Sequence, residues 1–312
     1  MLVFAEGNRC GAKVVCFEMT LLRLASEGRG TRYSPIRGII ESFLRLAYRQ
    51  NWPALLWEMF PSSCRVECVK HTVKVLPRGA SPLCIGFVSD IHIGPTTPVR
   101  LLRAAFAQLA EESLDILLLG GDYVFLDATE EKMDLLASLI RGVPAAQKFA
   151  VLGNHDLWTR HACIESSLSR AGATLLINDS VLLESPGGSI AIVGLDDPWT
   201  GKADAAFAMR NVGKPRIVVV LCHSPDGLPD AIQVIQSLPS APAGLYVCGH
   251  THGGHIATPW GPLIVPGEVG KRFPHGFHHV PPLHVYVSRG VGGIEVPIRI
   301  CAAPEVAVFQ LL

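Results

Sequence analysis

Gly153-Asn154-His155-Asp156 and Gly249-His250-Thr251-His252 decide how this chain is read. Each follows an apolar run, Phe149-Ala150-Val151-Leu152 in the first case and Leu245-Tyr246-Val247-Cys248 in the second. Neither suits a core, because Asn and His carry polar atoms that need partners and Gly weakens the interior of a strand or helix. A buried strand ending in a tight loop that presents oxygen and imidazole ligands accounts for both. The design recurs elsewhere. Ile85-Gly86-Phe87-Val88-Ser89 runs into Asp90-Ile91-His92, and Ile116-Leu117-Leu118-Leu119 into Gly120-Gly121-Asp122. Ile217-Val218-Val219-Val220-Leu221-Cys222 runs into His223.

Around these loops the pattern predicts a strand reaching residue 89, then helices over 98–112, 127–141 and 159–171. Strands at 115–119 and 148–152 fall between the helices, which is the βαβ rhythm of a layered α/β fold. Shorter, closer strands follow at 181–184, 190–195, 216–222, 244–248, 284–288 and 306–311. An edge strand over 69–76 and a turn-rich linker over 77–82 precede them. The chain therefore divides into an N-terminal extension, 1–80, and a catalytic domain, 83–312.

Apolar residues make up 49% of the 312, enough for a large core and too many for a disordered chain. Lys/Arg and Asp/Glu balance at 27 each, which argues against a dedicated nucleic-acid binder. The balance hides an asymmetry: residues 1–80 hold 12 Lys/Arg against 6 Asp/Glu, a local +6, and the remainder carries −6. The nine cysteines are scattered, several inside predicted strands, and point to a reducing cytosol. Cys64, Cys68 and His71 lack a fourth ligand nearby and are not read as a zinc site. No signal-peptide pattern opens the chain, and no apolar run reaches the roughly 18 residues that a spanning helix needs.

Residues 1–35 show no firm period and are expected to be poorly ordered, with Met19 a candidate initiator. From 35 to 60 the pattern is amphipathic. Ile39, Ile40, Phe43, Leu44, Leu46 and Ala47 recur at helical spacing, with Arg37, Glu41, Arg45 and Arg49 between them, and Phe60 extends the apolar content. Two readings stay open: a helix packed on the catalytic body, or an interfacial membrane helix with aromatic and Arg side chains at headgroup level.

The strand-end residues Asp90, His92, Asp122, Asn154, His223, His250 and His252 mix carboxylate, amide and imidazole. Such a set suits Mn, Fe or Zn better than Mg or Ca, which prefer oxygen shells. Seven ligands are too many for one ion and fit two divalent transition-metal ions about 3.5–4 Å apart, one carboxylate bridging. Their place at the carboxyl ends of apolar runs is where open α/β sheets bind ligands.

Asp90-Ile91-His92, Gly121-Asp122, Gly153-Asn154-His155-Asp156, Cys222-His223 and Gly249-His250-Thr251-His252 resemble, in order, the motifs of the calcineurin-like metallophosphoesterases. The resemblance covers residues 83–312 and implies a four-layer α-β-β-α sandwich around two metals. It implies that Asp90, His92 and His252 hold one ion, Asn154, His223 and His250 the other, and that Asp122 bridges. Thr251-His252-Gly253-Gly254-His255, Gly194-Leu195-Asp196-Asp197, Val287-Ser288-Arg289-Gly290-Val291-Gly292 and Pro297-Ile298-Arg299 look like a bacterial membrane-associated branch. That branch includes pyrophosphatases of UDP-2,3-diacylglucosamine. His255 stands where the branch usually has Gln, and Tyr123-Val124-Phe125 follows Asp122 where an acidic residue is common.

The implied chemistry is attack of activated water on phosphorus, in line with the leaving oxygen. His155, beside Asn154, is expected to serve the leaving group as proton donor or electrostatic stabiliser, with Asp156 orienting it. Arg272 and Arg289 are candidates to grip a second phosphate or an anionic head group. The expected partner is a phosphate-containing small molecule or lipid, at a membrane surface, with no nucleic acid. The expected localisation is cytoplasmic with peripheral inner-membrane association. A soluble nucleotide phosphodiesterase or phosphatase is the alternative, and a non-catalytic scaffold of the same fold is a third reading.

Overall fold

The computed structural model describes residues 23–59, 65–76, 81–184, 188–239, 242–258 and 260–312. Met19, Phe60, Cys64 and residues 77–80 of the expected linker lie outside them. Two six-stranded sheets face each other. One has the order β1 (Glu67–Val73), β14 (Glu305–Leu311), β2 (Leu83–Val88), β3 (Leu114–Leu119), β4 (Ala145–Ala150), β5 (Thr174–Leu175). The other has the order β12 (Gly276–Val280), β13 (Leu283–Val287), β9 (Gly244–Cys248), β8 (Ile217–Leu221), β7 (Ile190–Gly194), β6 (Asp179–Leu183). The central strands are parallel, while β14 against β2, β6 against β7 and β12 against β13 are antiparallel. A small hairpin, β10 (Ala257–Thr258) with β11 (Gly261–Pro262), stands apart from both.

Three apolar layers make this a four-layer α-β-β-α sandwich. Phe87, Ile116, Phe149, Val219, Leu245 and Phe309 fill the space between the sheets. Leu101, Leu109, Leu136, Ile140 and Leu168 pack α3 (Val99–Ala110), α4 (Glu130–Arg141) and α6 (His161–Arg170) on the first sheet. Ala208, Ala231 and Ile235 pack α7 (Ala205–Ala208) and α8 (Leu228–Ser237) on the second. Strands covered on both faces need apolar residues at every position, so β8 and β9 read as continuous runs and are buried throughout. The carboxyl ends of β2, β3, β4, β8 and β9 carry the loops singled out in the sequence.

The expected edge strand exists as β1, parallel to β14 in full register from Glu67↔Glu305 to Val73↔Leu311. Residues before 80 thus contribute a strand to the sheet that also carries the ligand loops.

Residues 23–34, expected to be poorly ordered, are instead tied down by long-range bonds. The Gly30 N–H donates to the Leu157 carbonyl at 2.8 Å, and Arg29 forms a bidentate pair with Asp196, both bonds 2.7 Å. None of these partners is close in sequence, which is why no local period announces them.

The amphipathic segment forms α1 (Pro35–Ala47) and α2 (Trp52–Glu58). Ser34 caps α1 by accepting the Arg37 N–H at 3.1 Å, and Pro35 opens its first turn. Gln50 and Asn51, both at positive φ, turn the chain between the helices. The face of α1 that meets the body is the polar one. Buried Glu41 accepts from Arg23 at 3.1 Å, Tyr33 at 2.9 Å and Arg37 at 3.0 Å. Gly38 touches the Arg23 carbonyl, where any Cβ would overlap it. The apolar face points outward: Ile36 is 70% exposed, Phe43 66% and Met59, just after α2, 71%. Ile39, Ile40, Leu46, Leu55 and Leu56 are exposed beside them. No helix among the described residues is long and apolar enough to cross a membrane.

Candidate metal centre

The five loops meet at one edge of the sandwich and bring all seven expected ligands together. Asp90, His92, Asp122, Asn154, His223, His250 and His252 are all buried. His252 Nε2 lies 3.5 Å from Asp90 Oδ1 and 3.2 Å from His92 Nε2. His223 Nε2 lies 3.2 Å from Asn154 Oδ1 and 3.2 Å from His250 Nδ1. Asp122 stands between these groups, its Oδ2 3.5 Å from His92 Nε2 and 3.3 Å from His223 Nε2.

Crowding these groups distorts the backbone. Asp90, His92, Asp122, His250 and His252 all sit at positive φ, between 41° and 71°. Side chains other than Gly adopt that region only where the surroundings compel it, and such residues cluster at functional sites. The glycines make room. Gly153 packs so closely on the Asp122 carboxylate that a Cβ would overlap Oδ1.

The donor chemistry fits cations. His223 Nδ1 faces the Gly120 carbonyl at 2.9 Å and His92 Nδ1 the Val124 carbonyl at 3.4 Å, so both rings carry a hydrogen on Nδ1 and turn Nε2 inward. Against the cost of its own burial, the Asp122, Asp90 and Asp197 charges hold the His223 ring well above the usual imidazole range, so its Nε2 proton is one that a bound cation would displace. Burial pushes the His92 ring down to about 4 and the His250 ring to about 3, keeping both neutral. Burial, reinforced by the Asp122 charge, pushes the Asp90 carboxyl up to about 6 and that of Asp156 to about 8. Against the cost of its own burial, Asp122 is held well below the usual carboxylate range by the His223, His155 and His92 rings. Three buried carboxyls in one pocket are short of positive charge, and divalent ions would supply it. One contact opposes this. Arg299 Nη2 faces His252 Nδ1 at 3.1 Å and can only donate, which places the ring hydrogen on Nε2. Ligation through His252 Nε2 requires Arg299 to rely on the Gly292, Arg289 and Ala302 carbonyls that it already bonds.

A family model for calcineurin-like phosphoesterases matches residues 84–254. The chain belongs to the calcineurin-like phosphoesterase family. It is 32% identical to phosphodiesterase YaeI of Escherichia coli over 253 residues, 79% of this chain and 88% of that protein. It is 29% identical to the metallophosphoesterase YkuE of Bacillus subtilis over 252 residues, 79% of this chain and 85% of that one. Among solved structures, a 5'-nucleotidase precursor from Thermus thermophilus superposes with a TM-score of 0.44 at 15% identity, covering 74% of this chain and 54% of that one. The chain is thus a phosphoester hydrolase, and its family and its Asp/His clusters indicate a divalent metal centre.

Other residues of this metallophosphoesterase fall differently from expectation. Asp156 does not reach the His155 ring. Its carboxylate accepts the N–H groups of Asp122 at 2.7 Å, Tyr123 at 2.8 Å and Gly153 at 3.0 Å, so it joins the two loops that carry Asp122 and Asn154. It lies inside α5 (Asn154–Trp158), whose short turn the sequence pattern does not announce. Arg289 is spent on structure, pairing with Glu305 and with Glu67 of β1. Arg272 is exposed at the end of α9 (Glu268–Arg272), its guanidinium 5.2 Å from the Phe273 ring. His155 is half-buried, its ring 4.9 Å from that of His92, and its donors lie close enough to His92 and Asp122 to share an ion with them.

Proposed function

We propose that this chain is a binuclear phosphohydrolase that cleaves a phosphodiester or pyrophosphate bond of a lipid-linked substrate, such as UDP-2,3-diacylglucosamine, at an anionic membrane surface. The position of Asp122 between His92 and His223 carries the binuclear part. One carboxylate shared by two imidazole groups, each with further donors, divides the seven residues as Asp90, His92, His252 and Asn154, His223, His250, with Asp122 common to both. Two ions held there, Mn²⁺ in the first place and Fe or Zn as alternatives, would supply activated water and offset phosphoryl charge.

The chain's own groups supply orientation and proton handling. His155 presents its ring beside the ligand cluster and donates to the leaving oxygen. Its backbone N–H fixes Asp122 Oδ1 at 2.8 Å, so the same residue aims the shared carboxylate. Asp156 keeps the two loops in register.

The inverted packing of α1 supports the membrane part. A helix that turns its salt bridges inward and its isoleucines outward needs an apolar partner on its outer face. Arg32 and Arg49 flank that face, exposed, and the only acid of α1, Glu41, is buried. This pairing of apolar surface with unopposed positive charge matches an anionic bilayer, at roughly 1 kcal/mol per basic residue. The β10–β11 hairpin, just after the ligand loop of β9, adds exposed Trp260, Leu263 and Ile264.

The test is turnover with Mn²⁺ of UDP-2,3-diacylglucosamine in vesicles, a soluble diester and a phosphomonoester, with product identification. Preferred cleavage of the lipid substrate is expected. Activity on the soluble diester alone would restore the nucleotide reading, and no activity with any metal would leave the scaffold.

A further inference from the structure

Arg37 is the one basic side chain of α1 that reaches the catalytic rim. Its Nη2 lies 3.5 Å from His155 Nε2 and 3.1 Å from Glu295 Oε1, and its Nε donates to Glu41 Oε1 at 3.0 Å. The guanidinium carbon stands 4.3 Å from the centre of the Trp158 ring. Two carboxylates and an indole thus fix the plane of the fork, while Nη1 meets no acceptor among the described residues. A guanidinium held in one plane, with the two Nη1 hydrogens still to spare, can donate to an anionic phosphate oxygen.

Its place relative to the ligands says which phosphate. On the phosphohydrolase reading the attacked phosphorus would lie at the ligand cluster, which His155 adjoins through His92 and Asp122. Arg37 touches His155 at the ring nitrogen Nε2. Resting on the phosphohydrolase reading above, we propose that Arg37 is a substrate-binding residue that takes the anionic oxygens of a second phosphate on the leaving-group side, so that the site selects pyrophosphate-linked substrates over single-phosphorus diesters. The helix that carries the outward apolar face then also builds one wall of the active site.

The test compares full-length wild type, Arg37→Ala and Arg37→Lys with Mn²⁺, without membranes, so it is independent of docking. The substrates are bis(p-nitrophenyl) phosphate, with one phosphorus, and UDP-glucose, with two. Loss of a charged, phosphate-facing donor predicts that Arg37→Ala loses about 10- to 100-fold in kcat/KM on the pyrophosphate, from KM more than kcat, and several-fold less on the diester. Arg37→Lys keeps the charge and stem without the fork, and is expected to fall between the two. Equal losses on both substrates, or none, would overturn the proposal and make Arg37 a prop for α1. So would a wild type that cleaves only the diester. A wild type inactive on both, and on the vesicle-borne substrate as well, defeats the phosphohydrolase reading itself, before any variant is compared, whereas activity on the vesicle-borne substrate moves the same comparison of variants to that substrate.

Discussion

The Asp156 carboxylate accepts the backbone N–H of Asp122 at 2.7 Å, although 34 residues separate the two. This bond ties the loop after β3 to the start of α5, and Asp122 returns the connection by accepting the His155 N–H. The metal centre is therefore held by a buried carboxylate outside the ligand set. Asp156→Asn puts an NH₂ where at least one N–H needs an acceptor, so a loss of about 2–3 kcal/mol is expected. A denaturation midpoint measured with and without Mn²⁺, together with a metal titration, checks it. Lowered stability and weakened metal binding are expected together.

His155→Ala separates two roles for one ring. As a group serving the leaving oxygen, its removal should keep both metals and lower kcat by on the order of 10²–10⁴. Its proximity to His92 and Asp122 offers the other role, that of a ligand. Elemental analysis of the purified variant decides, since loss of an ion assigns His155 to the metal.

His255 gives a pH signature. Burial, with Arg299 nearby, pushes this ring down to about 4 in the fold, while its Nε2 faces the Val296 carbonyl at 2.7 Å. An unfolded chain protonates it near 6.5, so between about pH 6.5 and 4 the unfolded state binds more protons and stability falls as pH falls. His255→Gln removes that contribution. The variant should lose less stability than wild type on acidification across this window, by up to roughly 3 kcal/mol. Parallel denaturation curves at pH 7.5 and 4.5 measure the difference, and equal losses would show that the ring titrates normally.

The outward face of α1 predicts a membrane phenotype. Ile40→Asp with Phe43→Asp places charge on two exposed positions and disturbs no buried contact. Binding to anionic vesicles and turnover of a vesicle-borne substrate should fall at least tenfold. Co-sedimentation reads the first, and unchanged vesicle binding would make this face a site for something else.

The ligand loops were legible because a strand buried on both faces must be apolar, so the polar residues at its end stand out. The helix over 35–47 was legible for a similar reason, but its orientation was not. Amphipathic spacing reports two faces without saying which meets the body, and here Arg23, Tyr33 and Gly38 settle it through contacts distant in sequence or dependent on a missing side chain. The same limit hid Arg37, which looked like one charge among several until α1 was placed against His155. β12, with its Gly-Phe-His-His-Val sequence, is missing from the strands expected from the sequence because its strand identity comes from pairing with β13. Arg289 looked available in the sequence because nothing local shows that Glu67 and Glu305 would meet it.

The central claim is that two ions share Asp122, and metal stoichiometry tests it most directly. Full-length protein loaded with Mn²⁺ and desalted should hold two ions per chain, and Asp122→Asn should lose affinity for both while activity collapses. Fully active protein with a single ion per chain, or an Asp122→Asn variant that keeps two ions at wild-type affinity, would contradict it.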